Sequence, residues 1–359
     1  MDILNIISDS YEKKIVGGPY KVILNVIKGL ELLGYPYVLN QNVHEFKRNW
    51  IHDSLKGFIE VTNSHIPAVI GPNIFTLPKD IPFFTPGFFS GVYLHPADWC
   101  VDIWKELDYK RSLLRSWPVG IDTNEFNVEM NRSSDHVMIY FKNREIQSLE
   151  FIENKVKSMG FVPMVIKYGS YTESEYRRAL SLASFGIWIG CSESQGIALQ
   201  EALSTNLPLI ICDVDSLLAS TQTQYKFPIE VGKYKATSVP YFDERCGIII
   251  EDLSKIEDSI KELKNNFTFF TPREFIIENL SLEKQAKELL SFFDLLEKQQ
   301  PEYFKKEKRK AVSGKFRLSL IGYLTFIPYV FMRKLKTLIK IVRQRLVNHN
   351  NFLTCILLP

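Results

Sequence analysis

Three residues of this 359-residue chain hold the most chemistry: Glu193, Gly196 and Glu201, in Cys191-Ser-Glu-Ser-Gln-Gly-Ile-Ala-Leu-Gln-Glu201-Ala. A carboxylate repels phosphate, but it accepts paired hydrogen bonds from neighbouring hydroxyls. A helix N-terminus presents free N–H groups and about half a positive charge, and so holds a phosphate. Gly196 lets the backbone approach a ligand closely, and Ile197 opens the helix whose first amides follow. Two carboxylates flanking such a helix start suit a ligand with a diphosphate and two sugars, a nucleotide-sugar.

The flanking residues give the elements that position these groups. Phe185–Gly190 is an almost wholly apolar run, as in a strand buried on both faces. Cys191–Gly196 is a small, polar loop, and Ile197–Ser204 has helical apolar spacing. Asn206 and Pro208 are a stop signal, and Leu209–Cys212 is a second apolar strand. Ligands of open parallel sheets bind beyond the carboxyl ends of the strands, where both glutamates would stand. The Glu-x7-Glu-Ala pattern resembles the donor-site signature of retaining glycosyltransferases of the GT-B fold, family 4. The resemblance implies an α/β chain with two Rossmann-like domains facing across a cleft. It implies a nucleotide-sugar donor as substrate, with no further cofactor, and a glycan or lipid-linked acceptor. Transfer would retain anomeric configuration. Glu201 would take the ribose hydroxyls and Glu193 those of the donor sugar. A sugar-nucleotide epimerase of the same architecture and a non-catalytic membrane adaptor are the alternatives.

Upstream, Ile3–Ser8 reads as a first strand rather than a signal peptide. Gly17-Gly18-Pro19 then precedes an amphipathic helix over Tyr20–Leu33. A Gly pair before Pro at a helix's first turn exposes free N–H groups, and it resembles the loop that touches the donor diphosphate. Tyr35–Leu39, Phe58–Val61, Ala68–Ile70 and Val92–Leu94 read as strands of the same sheet, and Pro96–Leu107 as a helix. Relatives carry a His or Asp facing the reacting carbon near Gly71-Pro72-Asn73. This chain offers Asn73 there, with His65, His44 and His95 further off. Thr76–Phe89, rich in Pro and Phe, reads as an irregular acceptor-side loop.

Pro118-Val-Gly120-Ile-Asp122-Thr resembles the interdomain segment of the family. It divides a domain over 1–122 from a donor domain over 123–296, whose first strand is Val137–Phe141. Lys142 and Arg144 follow that strand. The resemblance makes them the cations for the diphosphate, with Lys155 and Lys157 as alternatives, although the spacing departs from the family's. Preorganised cations stabilise charge that builds on a leaving group, and they can replace a metal ion, so none is implied. Met164–Lys167 is a strand. Tyr171 lies in the turn that faces the nucleobase in relatives, and Thr172-Glu-Ser-Glu175 is a capping box. Asp215–Thr223 reads as a helix start, Gly247–Ile250 as a last strand, and Ile256–Leu263 and Arg273–Leu296 as helices. The last of these resembles the closing helices that cross back to the first domain.

Composition is that of a globular protein: 45% hydrophobic and 24% charged, with a net charge of +3. The small net charge conceals an asymmetry, since residues 301–359 carry +11 and the rest −8. Five scattered cysteines without a CxxC pair argue against a zinc site and fit a reducing, cytoplasmic compartment. Leu318–Met332 is too short an apolar run to span a bilayer. With the basic Arg333–Arg345 it reads as an amphipathic helical tail, over 297–359, on the anionic cytoplasmic face of a membrane. Its aromatics sit apart from its cations, which disfavours nucleic acid as a partner.

Overall fold

The computed structural model describes residues 2–15, 17–127, 132–217 and 234–299. The first half builds β1 (Leu4–Ile7), α1 (Asp9–Glu12), α2 (Gly18–Leu32), β2 (Tyr37–Leu39), β3 (Arg48–Ile51), α3 (Leu55–Asn63), β4 (Ala68–Ile70), β5 (Gly91–His95), α4 (Asp98–Glu106) and β6 (Leu113–Ser116). The second builds β7 (His136–Phe141), α5 (Ile146–Ser158), β8 (Val162–Lys167), α6 (Glu173–Leu182), β9 (Phe185–Ile189), α7 (Ile197–Ser204), β10 (Leu209–Cys212) and β11 (Gly247–Ile250). It closes with α8 (Ile256–Asn265), α9 (Pro272–Leu280) and α10 (Leu282–Gln299). Strands run in the order β2-β1-β3-β4-β5-β6 in one sheet and β11-β10-β9-β7-β8 in the other. All of these pairings are parallel. Parallel neighbours need long crossovers; helices supply most of them, while residues 71–90 join β4 to β5 irregularly, with a single 3-10 turn at Pro78–Asp80. The result is the α/β architecture with two Rossmann-like sheets that the resemblance implies. The basic tail lies outside the described residues, apart from its first few.

The strands beneath the glutamates form because their neighbours cover them completely. All residues of β9 and β10 are buried, as central strands under helices on both faces must be. On α2, Val22, Ile23, Val26 and Leu30 form the buried stripe. Thr172 and Glu175 close the capping box of α6 reciprocally. The expected strand at Phe58–Val61 is instead part of α3. Ser54 caps that helix by accepting from Gly57 N, and Phe58, Val61 and Thr62 form its buried face at helical spacing. The strand that fills this place in the sheet is β3, hidden in the sequence by Arg48 and Asn49. Asn49 is fully buried, and its amide donates to Val43 O at 3.0 Å and Phe46 O at 2.8 Å, so the polar group is satisfied. Of the helix start expected over Asp215–Thr223, residues 218–223 lie outside the described residues. Ser216 pairs with Lys235 in an isolated antiparallel bridge.

The join between the halves is tight. Ile121 N donates to Leu280 O at 2.7 Å, Trp117 Nε1 to Gln285 O at 3.0 Å, and Asn25 Nδ2 to Gly120 O at 2.8 Å. Phe275, Ile276 and Leu280 of α9 pack in the second core. The next helix, α10, places Ala286, Leu289, Phe293 and Leu296 in the first. Among the described residues no helix is long and apolar enough to cross a membrane.

Candidate active site

Each sheet reverses its strand order once, between β1 and β3 and between β7 and β9. Crevices for ligands open at such points, beyond the carboxyl ends of the strands. In the second sheet the loop after β7 carries Lys142 and Arg144, and the loop after β9 carries Glu193 and Gly196. In the first, the segment after β1 leads to Gly17 and Gly18 at the head of α2. A Cβ built on either glycine meets nothing within 4 Å, so this loop borders open space. Gly196 caps α7 with φ 71° and ψ 38°, the left-handed conformation that favours glycine. The orphan amides of the first turn of α7 follow it directly.

The loops of the two halves touch. Trp99 Nε1 donates to Glu193 O at 3.1 Å, Val119 N to Gln195 Oε1 at 3.0 Å, and the Tyr241 hydroxyl to Pro96 O. Gln195 and Gln200 bond each other, with Gln200 Nε2 reaching Gln195 O at 2.7 Å. The Glu193–Gly196 loop is thus fixed from both sides before any ligand arrives.

Both glutamates carry cationic partners. Glu193 Oε2 pairs with Lys142 Nζ, each side chain 18% exposed. Burial opposes the charge on Lys142, but Glu193 outweighs it and raises the ammonium above its ordinary range. The ring of Tyr168 stands 4.5 Å from the same ammonium. Glu201, 2% exposed, pairs with Lys21 Nζ on α2 in the other half. Burial pushes the Glu201 carboxyl up to about 7; Lys21 counters this, while Glu173 and Glu125 add to it.

The other expected site residues divide. Tyr171 is half-buried, its ring edge-on to Tyr140 at 6.1 Å, within the field of Glu201. Asn73 is exposed beyond β4, its N–H donating to His52 O at 3.3 Å. Arg144 is engaged with backbone through Nη1. Its guanidinium donates to Gly190 O at 3.0 Å and, more weakly, to the carbonyls of Cys212 and Asp213, so it ties strand ends together. Lys155 and Lys157 on α5 pair with Glu257 and Glu153 at the surface. His44 pairs with Glu60, and His65 sits in the turn before β4, at the wrong end of that strand for the crevice. His95 ends β5, is 4% exposed, packs against Trp104 with ring centroids 4.3 Å apart, and has an unpartnered Nε2.

Two features escaped the reading of the sequence. Lys21 is one; its spacing from Gly18 signals nothing until α7 is brought across. The other is Asp213-Val214-Asp215, an Asp-x-Asp triplet of the kind that can hold a metal. Here the Asp213 carboxylate already accepts from Thr237 Oγ1 and from the N–H and hydroxyl of Ser238. A groove of about 440 Å³ runs along β8 and α6, bordered by Met164, Tyr171 and Arg178. It includes neither glutamate and is not the crevice defined by the sheet topology.

Two parallel sheets whose carboxyl-end loops meet, with a last helix returning to the first half, define a GT-B fold. A solved sucrose-phosphate synthase from Thermosynechococcus elongatus shares it, with a TM-score of 0.54 and 10% identity over 83% of this chain and 100% of that one. TarM aligns with a TM-score of 0.42 and 17% identity over 76% of this chain, which spans 58% of TarM's length. The lipopolysaccharide outer core galactosyltransferase WaaB, in its apo form, aligns at 0.41 and 11% over 88% of this chain and 100% of its own. No protein-family model matches the sequence, and no curated protein matches it significantly.

Proposed function

We propose that this protein is a retaining, metal-independent glycosyltransferase that moves a sugar from a nucleotide-sugar to a glycan or lipid-linked acceptor. One observation carries the reading. Glu193 and Glu201 bracket the left-handed Gly196 turn and the head of α7, opposite the open Gly17–Gly18 loop. The diphosphate lies between the two helix heads, on the amides after Gly18 and from Ile197. Glu201 accepts from the ribose hydroxyls and Glu193 from the donor sugar. Tyr171 lines the base, and Asn73 and His95 stand on the acceptor side. As the glycosidic bond breaks, negative charge builds on the leaving diphosphate, and Lys142 stabilises it. The acceptor hydroxyl gives its proton to a diphosphate oxygen.

The non-catalytic reading has one observation in its favour: both carboxylates already have cationic partners. Calorimetric titration with UDP-, GDP- and ADP-sugars separates the two readings. The transferase reading expects one donor to bind, and Glu201→Gln to weaken it about tenfold, the loss of one charge-assisted hydrogen bond. Unchanged affinity in Glu201→Gln removes Glu201 from the site. Turnover of donor without acceptor identifies an epimerase. The +11 charge of residues 301–359 supports docking on an anionic membrane. Deleting 301–359 is expected to release the protein from phosphatidylserine vesicles in a flotation assay; continued flotation removes the membrane assignment.

A further inference from the structure

The counter-charge of Glu201 comes from the opposite half of the molecule. Lys21 lies in the first turn of α2, just past the Gly17–Gly18 loop, whereas Glu201 lies on α7. The Lys21 side chain is 34% exposed and that of Glu201 only 3%. The same face of α2 also grips the join: Asn25 holds Gly120 O, and Lys28 pairs with Asp122 and Glu125 at 2.8 and 2.7 Å. Lys21, Asn25 and Lys28 stand at i, i+4 and i+7, a single helical stripe turned toward the second half. A carboxylate removed from water stays ionised only beside a cation.

Other groups around Glu201 do not replace that cation. Glu173 and Tyr176 face it from α6, Tyr171 from the preceding turn, and Glu125 from the join. Two of these are acids, and none is cationic. Arg177, the nearby cation on α6, is already paired with Glu125 and Glu173. Lys21 pairs with Oε1 of that carboxylate; a diol would be met at Oε2.

We infer that Lys21 is a positioning residue for the donor: by reaching across from α2 it keeps Glu201 ionised and aimed, so that residues of both halves complete the diol-binding carboxylate. The inference rests on the nucleotide-sugar reading of this site and adds to it a dependence on a residue of the first half and on pH. Without Lys21 the buried carboxyl takes up a proton. With Lys21 in place the carboxylate is a charge-assisted acceptor. Burial already brings the Glu201 carboxyl to about 7 with Lys21 present. Loss of Lys21 moves that titration upward, so the carboxyl stays protonated through neutral pH.

Calorimetric titration of the full chain with UDP, GDP and ADP between pH 6 and 9 tests this, using wild type, Lys21→Met, Lys21→Arg, Glu201→Gln and the Lys21→Met/Glu201→Gln pair. The diphosphates titrate as well, so the difference between variants is what is read. Lys21→Met is expected to bind the preferred diphosphate tenfold more weakly at pH 7 and to recover affinity at a pH at least one unit above wild type. Lys21→Arg is expected to restore the wild-type profile, and Lys21→Met is expected to add nothing to Glu201→Gln. A pH-independent loss, or one that persists in full in the Glu201→Gln background, overturns the inference and assigns Lys21 to phosphate or to folding. Wild-type affinity in Lys21→Met overturns it while leaving the donor site standing. Failure of all three diphosphates to bind wild type overturns the donor site itself, and the role of Lys21 with it.

Discussion

Lys142→Met is expected to lower kcat by about two to three orders of magnitude, the usual range for loss of one group that stabilises developing charge. Lys142 follows β7 at the point where the strand order reverses, and its ammonium is the cation beside the proposed donor sugar. Charge reaches the leaving diphosphate mainly in the transition state, so KM should change far less than kcat. The substitution also strips Glu193 of its partner. That costs about 2–3 kcal/mol of stability, below the range for a fully buried pair because each side chain keeps some exposure. The double variant Lys142→Met/Glu193→Gln separates the two effects. Removing both charges should restore the urea midpoint toward wild type without restoring turnover. Steady-state kinetics with the preferred nucleotide-sugar and urea unfolding of the three proteins check this. A kcat within threefold of wild type in Lys142→Met removes the lysine from the chemistry.

Gly120→Ala is expected to cost about 2–3 kcal/mol, at the upper end for overpacking by a single methyl. A Cβ at this position would lie 2.7 Å from Leu282 Cα, 2.9 Å from Ser281 O and 3.1 Å from Leu282 N. All three are backbone atoms at the junction of α9 and α10, so relief requires moving a helix, not rotating a side chain. The same segment is held by Ile121 N on Leu280 O and by Asn25 on Gly120 O. Gly17→Ala provides the contrast. Its Cβ would meet nothing within 4 Å, and its stability should stay within about 0.5 kcal/mol of wild type. Urea midpoints of the two variants decide the matter. Equal midpoints would mean that α10 gives way easily and that the join is soft.

The second sheet could be read from the sequence because its strands are written plainly. Phe185–Ile189 and Leu209–Cys212 are apolar runs broken by a glycine-bearing loop, and burial on both faces requires that pattern. The first sheet was harder. Arg48 and Asn49 disguise β3 because the polarity of a buried asparagine is cancelled only by partners such as Val43 O, Phe46 O and Asn5. Phe58 and Val61 fit either a strand or a helix in so short a window, and the cap at Ser54 settled it. The glutamates, the Gly196 turn and the Gly17–Gly18 loop were visible because one local stretch defines each. Lys21 was not, since its partner lies on another helix in the other half. The backbone contacts of Arg144 were hidden for a related reason: the carbonyls it meets belong to strand ends brought near only by the sheet.

The return of α10 to the first core has a practical consequence for anyone building chimeras from this scaffold. The first half is not an unbroken stretch of chain, because residues 282–296 belong by packing with β1 and α2. A second-half module excised as 123–296 would carry an apolar helical face cut from its bed, and the remaining fragment would expose the matching surface of α2. The cut that respects both cores lies at Ser281, between α9 and α10, with α10 restored to the first half by a linker or by co-expression.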